Sequence, residues 1–435
     1  MVSFPREEGG DQMDTVTDAL AGTADELGRL HARIAARFAR REMRERAQRY
    51  LAGVLGQVER KNGWQLAELV GERGPQGMQR LLNAADWDAE AVRDDLRAYV
   101  VEELGDAQSG VLVLDETGFL KKGRKSAGVA RQYSGTAGRR ENQQIGVFLL
   151  YASARGAAFI DRALYLPTGW ATDDDRRAEA HIPSDVPFAT KGELAQTMLA
   201  RAFAAGIPAR WVAGDTVYGS DELRGWLEGQ QRAYVLAVAS THGVWTRGRQ
   251  RTAADLGAML PPAAWNRRSA GEGSQGPRLY DWACLQLPYG GLAPGMAQWL
   301  LVRRSLPDLP PPAAEAEAAE QETEYAYYRA YGPADTTVEE LVRVAGRRWT
   351  IEVGFEQAKG EVGLDQYEVR RYDAWYRHIT LALLAYAALE VTRASATPPP
   401  AGGAPGAGAP DQEHQEKGAG CKQPTGVRTP RSCCR

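Results

Sequence analysis

Two short apolar runs that each end in an aspartate constrain the fold of this chain more than any other feature. Residues 110–115 read Gly-Val-Leu-Val-Leu-Asp, and residues 211–215 read Trp-Val-Ala-Gly-Asp. Such runs are typical of buried strands. A carboxylate at the end of a buried strand can face the crevice where α/β folds bind ligands. Asp115 and Asp215 are therefore candidates for one site, although an aspartate after a strand is also a common turn former or helix cap.

The period of the apolar residues divides the chain into five regions. Helical periodicity predicts an all-α N-terminal domain over residues 1–105. In residues 106–240, three strands followed by alternating helix and strand predict a mixed sheet with helices packed on it, an α/β fold. Residues 241–333 are rich in Gly and Pro and are predicted to be a β-rich insertion. Residues 334–394 return to helix, and residues 395–435 are predicted to be a disordered low-complexity tail.

Individual elements follow from the same patterns. Strands are predicted at residues 145–151, 158–166, 234–239, 278–287, 298–302 and 325–331. Helices are predicted at residues 78–82, 92–101, 192–205, 221–228, 338–359 and 378–393.

Composition bounds the class of protein. Hydrophobic residues make up 43% of the 435 residues, enough for a sizeable core. We expect no membrane helix, because no uninterrupted apolar run reaches about 20 residues. The polar, acidic N-terminus does not resemble a signal peptide. The four cysteines have neither a disulfide framework nor zinc-ligand spacing. A cytoplasmic protein fits these features best.

Charge is concentrated locally. The net charge is -3, yet residues 31–61 contain nine Lys or Arg residues and three Glu, a local charge of +6. This segment is either an electrostatic footprint for phosphates or a helix face laced with ion pairs. A second basic segment follows the first aspartate and contains Lys121, Lys122 and Arg124. It suits a polyanionic substrate, and a solvated loop without function is the alternative.

A third carboxylate, Glu352, lies on the predicted helix 338–359. Arg348 is four residues before it and Lys359 is seven after it, so the three can share one face. That pattern fits a surface ion-pair ladder, or a partly buried carboxylate that needs a partner or a metal. Asp115, Asp215 and Glu352 together could supply oxygen ligands for Mg²⁺. No histidine lies in these motifs, which disfavours zinc hydrolysis and histidine-based nucleophilic catalysis.

The combination of motifs resembles the DDE insertion-sequence transposases, specifically bacterial cut-and-paste enzymes with a β-strand insertion. The matching stretches are residues 114–123, 131–138, 146–148, 211–219, 348–359 and the helix around 378–382. The resemblance covers roughly residues 38–393. It implies an RNase-H-like catalytic core, assembled from residues 106–240 and 334–394, behind a DNA-binding N-terminal domain.

The resemblance also implies the site residues. Asp115, Asp215 and Glu352 would be the catalytic carboxylates and would bind two Mg²⁺ ions, with Mn²⁺ as a substitute. In the Tyr, Arg, Glu, Lys signature of these enzymes, Arg348, Glu352 and Lys359 match, whereas the Tyr position falls on Ala345. Arg348 and Lys359 would hold DNA phosphates near the cleaved end. Trp211, Tyr218 and Trp349 are expected to be core aromatics rather than base-stacking platforms.

The implied activity is DNA transposition. The protein would bind the terminal inverted repeats of its element as a homodimer, cleave the strands, and let a freed 3′-hydroxyl attack target DNA in the bacterial nucleoid. One alternative is a catalytically inactive or domesticated DNA-binding remnant, favoured by the Cys-ending tail, which departs from the family. A hydrolase that uses paired carboxylates on sugars is a third alternative, but Arg348 and Lys359 favour a phosphate substrate.

Overall fold

A computed structural model describes residues 9–396, except 135–137, 247, 274–275, 289–290 and 307–322. Side chains are described from residue 22 onward, apart from that of Ser134. The predicted disordered tail lies outside the described residues from position 397 on. Its first two residues, Ser395 and Ala396, belong to the last helix.

The chain alternates between helical and strand segments. The helices are α1 (Gly9–Ile34), α2 (Arg41–Leu55), α3 (Gly63–Leu69), α4 (Gln76–Asn83), α5 (Ala89–Leu104), α6 (Thr168–Ala171), α7 (Asp174–Glu179), α8 (Lys191–Ala204), α9 (Asp221–Gly229), α10 (Ala253–Ala258), α11 (Val338–Arg347), α12 (Trp349–Val362) and α13 (Tyr372–Ala396). The strands are β1 (Val111–Leu120), β2 (Ala130–Ser134), β3 (Arg139–Ala152), β4 (Ala157–Tyr165), β5 (Trp211–Gly214), β6 (Ala233–Val238), β7 (Gly243–Thr246), β8 (Arg249–Thr252), β9 (Asn266–Gly273), β10 (Gly276–Leu287), β11 (Met296–Arg304) and β12 (Tyr325–Pro333). Short 3-10 turns lie at Ala35–Arg37 and Pro262–Ala264.

The N-terminal helices pack on the C-terminal helix. α1, α2, α4 and α5 all contact α13. In the buried interface, the Tyr50 hydroxyl lies 2.7 Å from Nδ1 of His378. The side chains of Asn62 and Asp88 cap α3 and α5 by accepting bonds from free backbone N–H groups. The predicted helical character of the N-terminal region is confirmed for residues 9–104, the part of it that the structure describes.

One mixed sheet organises the rest of the described chain. Its strand order is β2-β3-β1-β5-β6-β12-β11-β10-β9, and β4 also pairs with β3. β3 runs antiparallel to β1 and β4, whereas β1, β5 and β6 are parallel. Helices flank this sheet. The predicted α/β class is confirmed, and the arrangement is consistent with an RNase-H-like core.

The strands after β6 extend the same sheet. β12 pairs antiparallel with β6, and β11, β10 and β9 follow in turn. The predicted strands at residues 278–287, 298–302 and 325–331 are confirmed as β10, β11 and β12. Strand β9, the small β7–β8 hairpin and helix α10 were not predicted. β8 and β9 are rich in arginine or glycine, and β7 and α10 have only four and six residues, so none of them gives a clear apolar period.

Two predicted boundaries differ from the structure. Asp115 does not end its strand, because β1 continues to Leu120 along its antiparallel partner β3. The single helix predicted over residues 338–359 is two helices that meet at Arg348. A Cβ placed on Gly346 would lie 1.8 Å from the carbonyl oxygen of Ala270. This close approach of α11 to β9 sets the direction of α11 independently of α12.

α13 is the one described helix long and apolar enough to cross a membrane by length and composition, with a mean hydropathy of 1.3. Burial of 61% of its apolar window shows why its sequence is apolar. The helix lies between the N-terminal helices and the sheet, in contact with β4 and α12. It is a core helix of this fold.

Ion pairs occupy much of the first basic segment. Arg33 pairs with Glu102, Arg37 with Asp95, Arg41 with Glu45, and Arg46 and Arg49 with Glu72. Lys61 is buried, and its ammonium group donates to backbone carbonyls. Of the two interpretations of this segment, a helix face with ion pairs is the one that describes these residues.

Candidate active site

Asp115 and Asp215 lie side by side because their strands are parallel neighbours. Leu114 of β1 is opposite Gly214 of β5, so each aspartate follows a paired residue. β5 ends at Gly214, which opens a crevice beside the continuing β1. Oδ1 of Asp115 accepts the backbone N–H of Glu116 at 2.7 Å, and Oδ1 of Asp215 accepts that of Val217 at 2.9 Å. The remaining carboxylate oxygens are available to a ligand in the crevice.

Glu116, a carboxylate that was not predicted as a site residue, lies beside the two aspartates. One oxygen from each of Asp115, Glu116 and Asp215 lies within 4.8 Å of the other two. Glu116 already has partners: Lys191 Nζ donates to Oε1 and the Tyr218 hydroxyl donates to Oε2, both at 2.6 Å. Glu116 therefore ties β1 to the start of α8 and to the loop after β5.

Burial and neighbouring carboxylates raise the pKa of both aspartates. Burial raises the pKa of Asp115 to about 8, with further contributions from the Asp215 and Glu116 charges. Burial also raises the pKa of Asp215, and the charge of Glu116 adds to the effect. Two desolvated carboxylates side by side favour either a proton or a cation between them. Their oxygen donors fit a hard divalent cation such as Mg²⁺ or Mn²⁺.

Glu352 lies outside the three-carboxylate cluster. It is in the first turn of α12, about a third exposed, and its Oε1 accepts a bond from Arg348 Nη1. Arg348 also lies close enough to both aspartates to lower the pKa of each. The structure thus brings Asp115 and Asp215 together directly and relates Glu352 to them through Arg348.

Lys359 lies along the same face of β1 as Asp115. Its Nζ donates to Oγ1 of Thr117 at 2.7 Å, and Thr117 is two residues after Asp115, on the same side of the strand. Burial lowers the pKa of Lys359. The ammonium group is therefore held by α12 over the face of β1 that carries Asp115, at the level of Thr117.

The basic segment after β1 has two kinds of residue. Lys121 faces inward: its Nζ donates to the Tyr367 carbonyl at 3.1 Å and lies 3.4 Å from the centroid of the Tyr367 ring. Burial lowers its pKa to about 8. Lys122 and Arg124 are exposed. These last two side chains lie in solvent, as does that of the neighbouring Lys125.

The expected core aromatics fall into two groups. Trp211 and Tyr218 are buried, as predicted. Trp349 is 36% exposed, so the prediction that it is a core residue was wrong. The guanidinium groups of Arg278 and Arg348 lie 5.4 and 5.2 Å from its ring centroid. Arg278 comes from β10, and nothing in the local sequence indicates that this strand reaches the start of α12.

Comparison with known proteins places this site in a family. Residues 33–268 match the family described as DDE superfamily endonuclease, and residues 184–388 match the Transposase DDE domain. The first match covers more than half of the chain, so the protein belongs to the DDE superfamily.

One curated protein that is similar to this chain is a probable insertion-sequence transposase. The chain is 27% identical over 201 residues to the probable transposase for insertion sequence element IS701 of Microchaete diplosiphon. The alignment covers 46% of this chain and 50% of the relative, so the similarity spans about half the length of each protein. The resemblance to DDE insertion-sequence transposases inferred from the motifs is confirmed.

Proposed function

We propose that this protein is a DNA transposase that cleaves phosphodiester bonds at the ends of its element and transfers the freed strands to target DNA. The observation that carries the proposal is the pair of desolvated carboxylates, Asp115 and Asp215, at the end of β5 in a chain of the DDE superfamily. Carboxylate pairs of this kind suit phosphoryl transfer, which needs no histidine.

Asp115, Asp215 and Glu352 would hold the divalent cations. Bound Mg²⁺ would stabilise charge on the attacking and leaving oxygens of the phosphodiester. Glu352 becomes available when its bond to Arg348 breaks. Asp115 must release its proton, since its pKa is raised to about 8. Two ions, with Mn²⁺ as a substitute, remain our expectation from the family.

Arg348 and Lys359 would hold the phosphate being cleaved. The Arg348 side chain is only 18% exposed. It pairs with the Glu352 carboxylate and also interacts electrostatically with the two aspartates. A DNA phosphate in the crevice offers its guanidinium a second, bidentate partner. The transfer of Arg348 from Glu352 to phosphate would free the third carboxylate as substrate binds. Lys359, fixed by Thr117, would contribute a charge that needs no rearrangement.

The substrate we propose is double-stranded DNA, first the terminal inverted repeats and then the target. A homodimer would bring the two ends together, and residues 1–105 would contribute to recognition of the ends. Lys122 and Arg124 are exposed just after the end of β1, the strand that carries Asp115, and they support a polyanionic substrate. Such an enzyme would act at the nucleoid.

Cleavage of a labelled duplex that carries the sequence flanking the gene tests the proposal. We expect nicking at a repeat end with Mg²⁺ and none with EDTA. Glu352→Gln should abolish nicking, whereas Glu356→Gln, an exposed carboxylate one turn along α12, should retain it. Metal-dependent nicking that survives Glu352→Gln would overturn the assignment of the third carboxylate. DNA binding without any nicking would indicate the inactive DNA-binding remnant instead.

A further inference from the structure

β2 and the first part of β3 form a two-stranded arm at the edge of the sheet that carries the aspartates. Asp115 is opposite Phe148 of β3, and β3 begins nine residues earlier at Arg139. At about 3.3 Å per residue, the strand reaches roughly 25–30 Å beyond the level of Asp115. We call these two strand segments, together with the loop that leads into β2, the basic arm (residues 121–134 and 138–142).

The basic arm is the most positively charged segment near the site. Residues 121–142 contain seven Lys or Arg residues and one Glu, a local charge of +6 in a chain of net charge -3. Unlike the paired arginines of the N-terminal helices, four of these cations have no carboxylate partner among the described residues: Lys122, Arg124, Arg131 and Arg140. In the described part of residues 121–142, Lys125 pairs with Glu179 and Arg139 pairs with Glu141.

The free cations share one face of the arm. Tyr133 is opposite Arg140 in the β2–β3 register, and Arg131 is two residues before Tyr133, so the three side chains point the same way. Each of the two guanidinium groups donates to the other residue's backbone carbonyl at 3.4 Å, which orients both on this face. Tyr133 is 66% exposed between them. Arg139 and its partner Glu141 occupy the opposite face.

The arm also fixes the loop that follows β1. The Asn142 side chain donates to the carbonyl of Lys121 at 2.5 Å and to that of Gly123 at 2.9 Å. These bonds hold exposed Lys122 and Arg124 against the base of the arm. The cationic surface therefore continues from the arm toward the aspartates.

We propose that this face of the basic arm binds the backbone of duplex DNA beside the bond that is cut. This inference rests on the proposed function and adds Arg131, Tyr133 and Arg140 to its DNA contacts. Each guanidinium keeps most of its five donors free for phosphate oxygens, and a tyrosine hydroxyl can donate to another. The reach of the arm matches about eight base pairs at about 3.4 Å each.

The salt dependence of DNA binding tests the proposal. Binding of the full-length protein to a fluorescent duplex is measured in EDTA over a series of NaCl concentrations. Arg131→Gln with Arg140→Gln should lower the slope of log K against log salt by about 1.8, since each lost phosphate contact contributes about 0.9. The matched control is Arg139→Gln with Arg155→Gln, which removes two exposed charges from the opposite face and from the far end of β3. Its slope should stay closer to that of the wild type.

The outcomes separate this inference from the proposed function. A lysine pair at positions 131 and 140 should restore the slope, because it keeps the charges. An unchanged slope in the glutamine pair, in protein that melts like the wild type, would overturn the arm as a DNA contact even if cleavage occurs. A reduced slope in a protein that never cleaves DNA would support the arm and overturn the transposase activity.

Discussion

Aspartates at two places beside this sheet, one buried and one partly buried pair, have opposite electrostatic surroundings. Asp161 of β4 is 1% exposed, and its carboxylate pairs with Arg93 at 2.9 Å and Arg201 at 3.0 Å. Burial alone would raise its pKa, but Arg201, Arg93 and Arg162 hold the pKa below the ordinary value. Among the described residues, no cation pairs directly with Asp115 or Asp215, and the pKa of each is raised.

The difference separates a structural carboxylate from a functional one. A buried charge that is fully paired within the fold holds secondary-structure elements together, here β4, α5 and α8. A desolvated pair whose nearby cation, Arg348, is paired with Glu352 destabilises the metal-free protein and favours a cation from outside. The same residue type thus stabilises the fold at one site and prepares a binding site at the other.

Substitution of an aspartate at the candidate site should have the largest effect, and this effect should be on catalysis. Asp215→Asn should lower metal-dependent cleavage by about 10³-fold or more, because the loss of several kcal/mol of cation binding is a loss of transition-state stabilisation. Its thermal stability should stay equal or rise, since like-charge repulsion is removed. Single-turnover cleavage and a melting curve measure both. Asp174→Asn, at an exposed aspartate, is the control. A large loss of stability would mean that Asp215 is structural.

Asp161→Asn should give the reverse pattern. Removal of one partner from a buried charge network costs about 3–5 kcal/mol. Urea unfolding should therefore show a large loss of stability, while any folded protein still binds divalent cations. Asp94→Asn, at a carboxylate 48% exposed that also pairs with Arg93, should cost no more than about 1 kcal/mol. Equal effects of the two substitutions would contradict the structural role of Asp161.

The pH dependence of stability should have opposite signs at the two sites. The raised pKa of Asp115 means that the folded state holds a proton that the unfolded state has lost. In EDTA, stability should fall as pH rises from about 4 to 8, by at most about 1.4 kcal/mol per unit. The lowered pKa of Asp161 contributes stability that is lost only as pH falls below its ordinary range. Unfolding at pH 5 and pH 8 measures the first effect, and Asp115→Asn should flatten it.

Glu116 should show the smallest effect. Lys191 and Tyr218 already occupy its oxygens, so we expect it to position β1 rather than bind the cation. Glu116→Gln should reduce cleavage by no more than about tenfold, because an amide oxygen can still accept one of the two bonds. Cleavage rates at several Mg²⁺ concentrations measure this. A loss as large as that of Asp215→Asn would make Glu116 a metal ligand instead.

Local pattern predicted part of the site. The apolar runs predicted the buried strands that lead to Asp115 and Asp215, and the spacing of Arg348 and Glu352 predicted their contact on one helix face. Neither observation required knowledge of distant contacts. The parallel register that sets Leu114 opposite Gly214 is a property of the folded sheet and could not be seen in either run alone.

The rest of the site depends on residues far apart in the chain. Lys191 and Tyr218 are 75 and 102 positions from Glu116, and Arg93 is 68 positions from Asp161. No spacing rule connects such residues. For the same reason, the sequence could not choose between the two interpretations of the first basic segment, since several of its arginines pair with acids in α5 and beside α3.

Calorimetry of Mg²⁺ binding at pH 7, in buffers of different ionisation enthalpy, tests most directly whether Asp115 and Asp215 form a cation site. The wild type should bind Mg²⁺ and release up to roughly one proton, because Asp115, with a pKa of about 8, must ionise. Asp115→Asn should lose both the binding and the proton release, and Asp161→Asn should keep both. Wild-type-like binding by Asp115→Asn would contradict the assignment of these carboxylates.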